Sequence, residues 1–382
     1  MQNLFINLLL IRQTRFLYLS FFCFAIAVGI NFVTFPSILK LHNLSAFQIG
    51  LSFTAEILGV SLMSFFLSKI TNKYGIYRVL MANTIIYCSI VLLIYFYFSY
   101  YLWLLLVFVL GCCWLIFAIT RISWLNIFFN NEERGIGIGI FSATISLGVA
   151  VGPVIVNFSG AENYLSFAIS ALFVLCAFLA LIPIKNSTIN QINSSRIPIK
   201  DFYKKNPNCF MTRFFLDFTT YIIMSLTVVF GRSIGLTNEK AGLLITAYLA
   251  SGFFDIVVGF ILKKTTPKKL INIGFIGCLY SFLLVILYHH SFKFLLLMFF
   301  IYGLFIACIY VSVFKMVNED YENEQLIAGN TTFQFIGTIG SFCGSLLGGL
   351  MLDIFGSQGF GILICFGALF YLTFLVIYEK SN

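Results

Sequence analysis

Five charged side chains lie in or beside long apolar stretches of this chain: Glu56, Arg121, Arg213, Asp217 and Asp255. Charge is costly in hydrocarbon, so such residues face protein or a wet cavity and often mark paths for protons and solutes. Glu56 falls near the middle of its stretch. Burial there disfavours the charged carboxylate, which suits a group that takes up and releases a proton. The competing reading is a neutral Glu56 hydrogen-bonded to a neighbouring helix. Arg213 and Asp217 are one helical turn apart, so their side chains can meet. They either neutralise each other or form an ion pair that opens when substrate or a proton enters. Glu56 is the first candidate for proton coupling and Asp217 the second.

Other chemistries find no matching residues. The ten cysteines fall almost entirely in apolar runs, without a Cys-x-x-Cys pair or a Cys/His cluster at metal spacing, and read as small buried side chains. There is no Gly-x-x-x-x-Gly-Lys-Ser/Thr phosphate loop, and no HExxH or GxSxG set, so neither ATP-driven transport nor membrane hydrolysis is expected. The chain is not expected to be an enzyme or to carry a cofactor or metal. His289 and His290 adjoin an outer loop and read as solvated side chains rather than a pH sensor. The net charge of +9 forms no basic stripe with spaced aromatics, which argues against nucleic acid.

The elements that hold these charges follow from hydropathy. Hydrophobic residues make up 60% of the chain and charged ones 10%, with a mean hydropathy of +1.00; a soluble domain carries about 25% charged residues. Apolar stretches run over 15–38, 47–69, 77–98, 101–125, 136–157, 163–183, 209–232, 240–262, 270–288, 293–315, 327–350 and 359–378. Each holds roughly 20 residues, enough to cross ~30 Å of hydrocarbon as a helix. Helix is required because backbone polar groups must be paired within lipid. The expected fold is an all-α integral membrane protein with 12 transmembrane helices in two six-helix bundles. Those bundles are residues 1–183 and 208–382, joined by a polar linker at 184–207 that has room for a short amphipathic helix. Basic residues gather in alternate connectors, as in Lys69, Lys73 and Arg78, and again from Lys200 to Lys205 and Lys263 to Lys269. The opposite connectors hold only Lys40, Arg232, Lys240 and Lys293. This bias puts both termini in the cytoplasm. Arg12 precedes the first span without a cleavable signal pattern, so that span is expected to persist.

The third, sixth, ninth and twelfth spans carry no charge away from their ends, whereas the second, fourth, seventh and eighth do. Polar or aromatic residues at mid-span supply a cavity list: Asn31, Trp114, Tyr221, Tyr310 and Gln334. Each competes with a plain packing role, since pocket walls need few polar groups. Gly139, Gly148, Gly152 and Pro153 in the fifth span are echoed by Gly340, Gly344, Gly348 and Gly349 in the eleventh. Glycines four apart share a helix face and admit another helix closely. Their matching places in the two halves suggest duplication, a common origin of transporters.

Between the second and third spans the chain reads Ser68-Lys-Ile-Thr-Asn72-Lys73-Tyr-Gly75-Ile-Tyr-Arg78. With its span count and central linker, the chain resembles the major facilitator superfamily over nearly its full length. The family's gating loop has the form Gly-x-x-x-Asp-Arg-x-Gly-Arg-Arg, with Ser68 here for the first Gly and Asn72 for Asp. Gly259 to Lys268 resembles a weaker second copy, with Lys263 at the acidic position. The fifth span, with Glu133-Arg134-Gly135 before it, is similar to the motif of family antiporters. Val156-Asn157 replaces its terminal Gly-Gly. Val107 stands where the drug–proton antiport pattern has an arginine, four residues before Gly111. The resemblance implies that Asn72 removes a charge from the cytoplasmic gate and that the third, sixth, ninth and twelfth spans are peripheral. Arg121 then braces the gating loop or attracts an anionic substrate, and Asp255 belongs to the second gate copy.

These readings converge on a secondary active transporter that moves a small molecule by alternating access, with the proton as coupling ion. Efflux of a drug or metabolite by antiport is the first expectation, and proton-coupled uptake of a metabolite or organic ion the second. A non-transporting receptor with the same fold is the third. Substrate, proton and bilayer are the expected partners, and a monomer suffices for the architecture. The Ile, Phe, Asn and Lys bias suggests an AT-rich bacterial genome, and the expected location is a cell membrane, bacterial inner or plasma, crossed many times.

Overall fold

Apolar runs this long leave the backbone no water to bond, so it pairs internally, and in the computed structural model all regular structure among the described residues is helical. It describes residues 12–128, 131–184, 197–321 and 323–381. Within these, the side chains of 12–13, 68, 120–128, 131–139, 142, 184, 323–324, 326–327 and 379–381 are not described. Ser68, Arg121, Glu133, Arg134 and Gly139 therefore lie outside the described side chains. The helices are α1 (Arg12–Leu41), α2 (Ala46–Tyr74), α3 (Ile76–Phe96), α4 (Tyr100–Phe128), α5 (Asn131–Ser159) and α6 (Tyr164–Leu179). A short α7 (Ile199–Lys205) precedes α8 (Pro207–Ser233), α9 (Asn238–Ala250) and α10 (Phe254–Ile261). The series closes with α11 (Pro267–Leu287), α12 (Phe292–Asp320), α13 (Asn323–Phe355) and α14 (Ser357–Ser381).

Among the described residues, ten helical stretches are long and apolar enough to cross a membrane, with α9 and α10 acting as one. Two further apolar helical stretches, Ala143–Ser159 and Tyr164–Leu179, are shorter. At 16 residues, α6 rises only about 24 Å. The break between α9 and α10 is a single 3₁₀ turn, Ser251–Phe253. There Ser251 Oγ donates to the Tyr248 carbonyl at 2.6 Å, a back-bond that bends helices. Gly303 of α12 lies against this turn, and a methyl group in its place would overlap Ser251 Oγ and the Tyr248 carbonyl.

The chain forms two compact units, residues 1–35 with 55–193, and residues 36–54 with 194–382. In the first unit, the glycine face of α5 packs on α1: Gly148 meets Phe22 and Ala25, and Gly152 meets Gly29. Helices α3 and α6 pack together. The second unit repeats the plan. Gly340 and Gly344 of α13 lie on the Phe214 and Phe218 carbonyls of α8, and α11 packs on α14. Each glycine-bearing helix thus faces the first long helix of its own half.

The start of α2 belongs to the second unit and has two sets of caps. Ser45 Oγ accepts from Gln48 N at 3.2 Å and Gln48 Oε1 accepts from Ser45 N at 2.9 Å, a capping box. The next two amides, Ala46 and Phe47, each donate to the Asp353 carboxylate of α13 at 2.8 Å. A negative charge at this end also opposes the helix dipole favourably. Close backbone approach at Gly50 and Gly349 makes the contact possible, and Thr54 bonds Ser345 at 2.9 Å.

The linker contains a helix fastened to the second unit. Phe202 of α7 is fully buried, stacked on Tyr321 at 5.6 Å and near Phe333 at 6.5 Å. Asn206 caps α8 through Cys209 N and donates to Asp320 at 2.6 Å. Truncating a buried aromatic leaves a cavity, so Phe202→Ala is expected to cost about 3 kcal/mol. The check is a lower thermal midpoint of the purified protein; an unchanged midpoint would mean that α7 does not hold the second unit.

Candidate functional site

Two polar features stand out inside the apolar helices, one in each unit. In the first unit, Glu56 sits where α2 and α4 touch. A methyl at Gly111 would overlap the Glu56 backbone, and one at Gly59 would overlap the Phe108 carbonyl. Cys112 Sγ donates to the Gly59 carbonyl at 3.3 Å. With the backbones this close, Glu56 is half-buried, and among the described residues no hydrogen bond or ion pair engages its carboxyl group. Val107 lies one turn before Gly111 and is buried, so this turn of α4 offers Glu56 no cation. Trp114, three residues beyond Gly111, is half-buried on the same helix.

In the second unit the charges are paired. Arg213 Nη2 lies 2.6 Å from Asp217 Oδ2 and donates to Gln334 Oε1 of α13 at 2.9 Å. Arg213 is only 7% exposed. The rings of Phe333 and Phe314 lie 4.8 and 5.7 Å from its Cζ, positions suited to cation–π attraction. Nε and Nη1 are buried without a hydrogen-bond partner among the described residues. Gly337 makes room for the pair, since a methyl there would overlap Asp217 Oδ2 and Arg213 Nε. One turn further along α8, Thr220 bonds the Tyr248 hydroxyl of α9 at 3.3 Å. Gln334 is exposed although it lies well inside α13; a polar side chain at that depth belongs beside water or a solute rather than lipid. Tyr221 and Tyr310 are half-buried, and the Tyr310 ring lies tilted against Phe314 at 4.7 Å between centroids.

The remaining residues singled out from sequence fall elsewhere. Asn31 is buried; its Nδ2 donates to Tyr87 Oη of α3 at 2.9 Å and its Oδ1 accepts from Ser170 Oγ of α6 at 2.9 Å. Its amide thereby ties α1 to α3 and α6 of its unit. Asn208 of α8 has an equivalent partner in Tyr371 of α14, at 2.8 Å, a pairing that no spacing in the chain signals. Asn72, Gly75 and Arg78 are exposed at the α2–α3 turn. Gly75 has φ +80°, a conformation that favours glycine. Asp255 is half-buried in the first turn of α10, just past the 3₁₀ break. Below it, Lys315 of α12 donates to the Leu262 carbonyl at 3.2 Å and closes the end of α10. Pro153 lies inside α5 beside the Gly152 contact. Among the described residues no group of three or more His, Cys, Asp or Glu could hold a metal ion.

The sequence matches the family model of the Major Facilitator Superfamily over residues 17–207 and 209–381. Solved structures with the same fold include a variant of the nucleoside transporter NupG, with a TM-score of 0.78 at 14% identity, covering 96% of this chain and 99% of that one. A bacterial homolog of the human lysosomal transporter Spinster, inward-facing and unoccupied, gives a TM-score of 0.71 at 14% identity, covering 95% and 94%. No curated protein matched the sequence.

Proposed function

Since the chain belongs to the major facilitator superfamily, we propose that it is a proton-coupled secondary active transporter for a small molecule. Membership makes it a transporter and not an enzyme; the coupling ion, direction and residue roles are our reading. The observation that supports proton coupling is Glu56, a half-buried carboxyl group in an apolar helix, near Tyr87 but without a hydrogen bond or ion pair among the described residues. A lasting charge there is costly, so the group carries its proton in one state of the cycle and releases it in another. Asp217 supplies a second acidic group, held against Arg213. Substrate binds near the membrane midplane and is exposed to either side in turn. The membrane is a bacterial inner membrane with both termini on its cytoplasmic side, and the protein works as a monomer.

Efflux in exchange for protons is the first direction, supported by the antiporter-like run Gly148, Gly152, Pro153. Uptake is the second reading, favoured by Val107 in place of the efflux arginine. The test is a thermal-stabilisation screen of purified protein, followed by flux of the stabilising solute in proteoliposomes with and without a pH gradient. The expected result is accumulation that follows the gradient and collapses with a protonophore. Flux indifferent to the gradient would overturn proton coupling, and binding without counterflow would indicate a receptor.

A further inference from the structure

The guanidinium of Arg213 is only partly used. Its Nη2 serves both Asp217 and Gln334, whereas Nε and Nη1 are buried with no partner among the described residues. A buried donor left unmade is expensive, and more so on a charged group. Arginine binds a carboxylate best along an edge, through two parallel N–H donors. Asp217 does not do this: it reaches Nη2 and leaves the neighbouring Nε empty. That edge packs against Gly337 of α13, where a methyl would overlap Asp217 Oδ2, Arg213 Nε and Arg213 Nη2. Phe333 and Phe314 lie near the guanidinium, and Gln334 beside it is exposed.

We propose that Arg213 is the binding residue for the carboxylate of an organic anion with an aromatic or otherwise apolar body. The carboxylate takes the Nε/Nη2 edge, Gln334 shares in its polar contacts, and Phe314 and Phe333 adjoin its apolar part. Charge balance then links this ligand to Asp217. Arginine with one anion is neutral, and a second anion is costly in a low-dielectric setting. The anion therefore replaces the Asp217 carboxylate at the edge as Asp217 takes a proton. The groups around the Arg213–Asp217 pair are Cys209 on the same helix, Tyr248 from α9, Phe314 from α12, and Phe333, Gln334 and Gly337 from α13. Among these described neighbours there is no second cation and no second carboxylate; Tyr248 and Cys209 are weak acids that stay neutral.

Carboxylate binding at Arg213 rests on the transporter reading but is tested separately from it. Purified full-length protein is titrated with formate, benzoate and indole-3-acetate, and with benzamide and indole-3-acetamide as uncharged counterparts. The acids are expected to raise the thermal midpoint and to bind at least about tenfold more tightly than the amides. Arg213→Gln and Arg213→Lys should both lose that preference, because lysine lacks the fork. Asp217→Asn should melt earlier than wild type and regain its midpoint with acids but not amides. Equal binding of acid and amide by wild type would overturn the proposal, as would acids that stabilise Arg213→Gln as well as wild type. So would a folded Asp217→Asn that no acid restores; should that variant fail to fold, the wild-type comparison decides. Proton-driven flux of a neutral solute, with no response to acids, would sink this assignment and leave the transporter reading intact. Acid binding without flux would do the reverse.

Discussion

Proteoliposomes carrying Glu56→Gln are expected to lose transport driven by a pH gradient down to background, while the protein stays folded in the membrane. Glutamine keeps the size and polarity of the side chain, which matters where Gly111 brings α4 against the α2 backbone. It removes the one property the mechanism needs, a proton that can leave. Solute-dependent proton movement followed with a luminal pH dye is the direct measurement. Counterflow of solute at equal pH on both sides needs no net proton transfer and should persist. That split separates a coupling defect from a folding defect. Full proton coupling in Glu56→Gln would remove Glu56 from the mechanism and leave a packing role at the α2–α4 contact.

The largest stability effect should fall on the glycine faces. Gly344→Val is expected to destabilise the protein by about 3 kcal/mol or more, because the first added carbon already overlaps the Phe218 carbonyl. Backbone cannot rotate away as a side chain can, so α13 and α8 must separate. The control is Gly259→Ala in α10, where an added methyl meets nothing within 4 Å. Glycine in a helix interior is about 1 kcal/mol worse than alanine, so this change should be neutral or mildly stabilising. Thermal melts of both variants in detergent make the comparison. A Gly344→Val protein that melts with wild type would show that the α8–α13 contact does not hold the second unit.

These two cases also show how far residues speak for themselves. Spacing alone puts Gly340 and Gly344 on one helix face, and it puts Arg213 within reach of Asp217. Spacing is local information, and a helix face says nothing about its occupant. That the partner is the first long helix of each half depends on contacts more than a hundred residues away in sequence, at Phe22 and Gly29 for α5 and at Phe214 and Phe218 for α13. Asn31 illustrates the same limit. Its amide looks like a cavity group in a list of mid-span polar residues, but Tyr87 and Ser170 satisfy it from two other helices. The surroundings of Arg213 were equally silent, since Phe314, Phe333 and Gly337 look like three ordinary members of an apolar chain. The polar linker permitted a short helix, yet the depth of Phe202 became evident only once Tyr321 and Phe333 were in place.

The caps at the start of α2 have a consequence for biosynthesis. Ser45 and Gln48 leave the ribosome almost together and bond at once, but Ala46 and Phe47 wait for a carboxylate 307 and 306 residues further on. At about 5–20 residues per second, that wait is roughly 15–60 s. The second helix therefore enters the bilayer with half of its first turn unpaired by protein, and is completed only when the penultimate one arrives. A chain that stops short of Asp353 leaves these two amides near its beginning without their carboxylate.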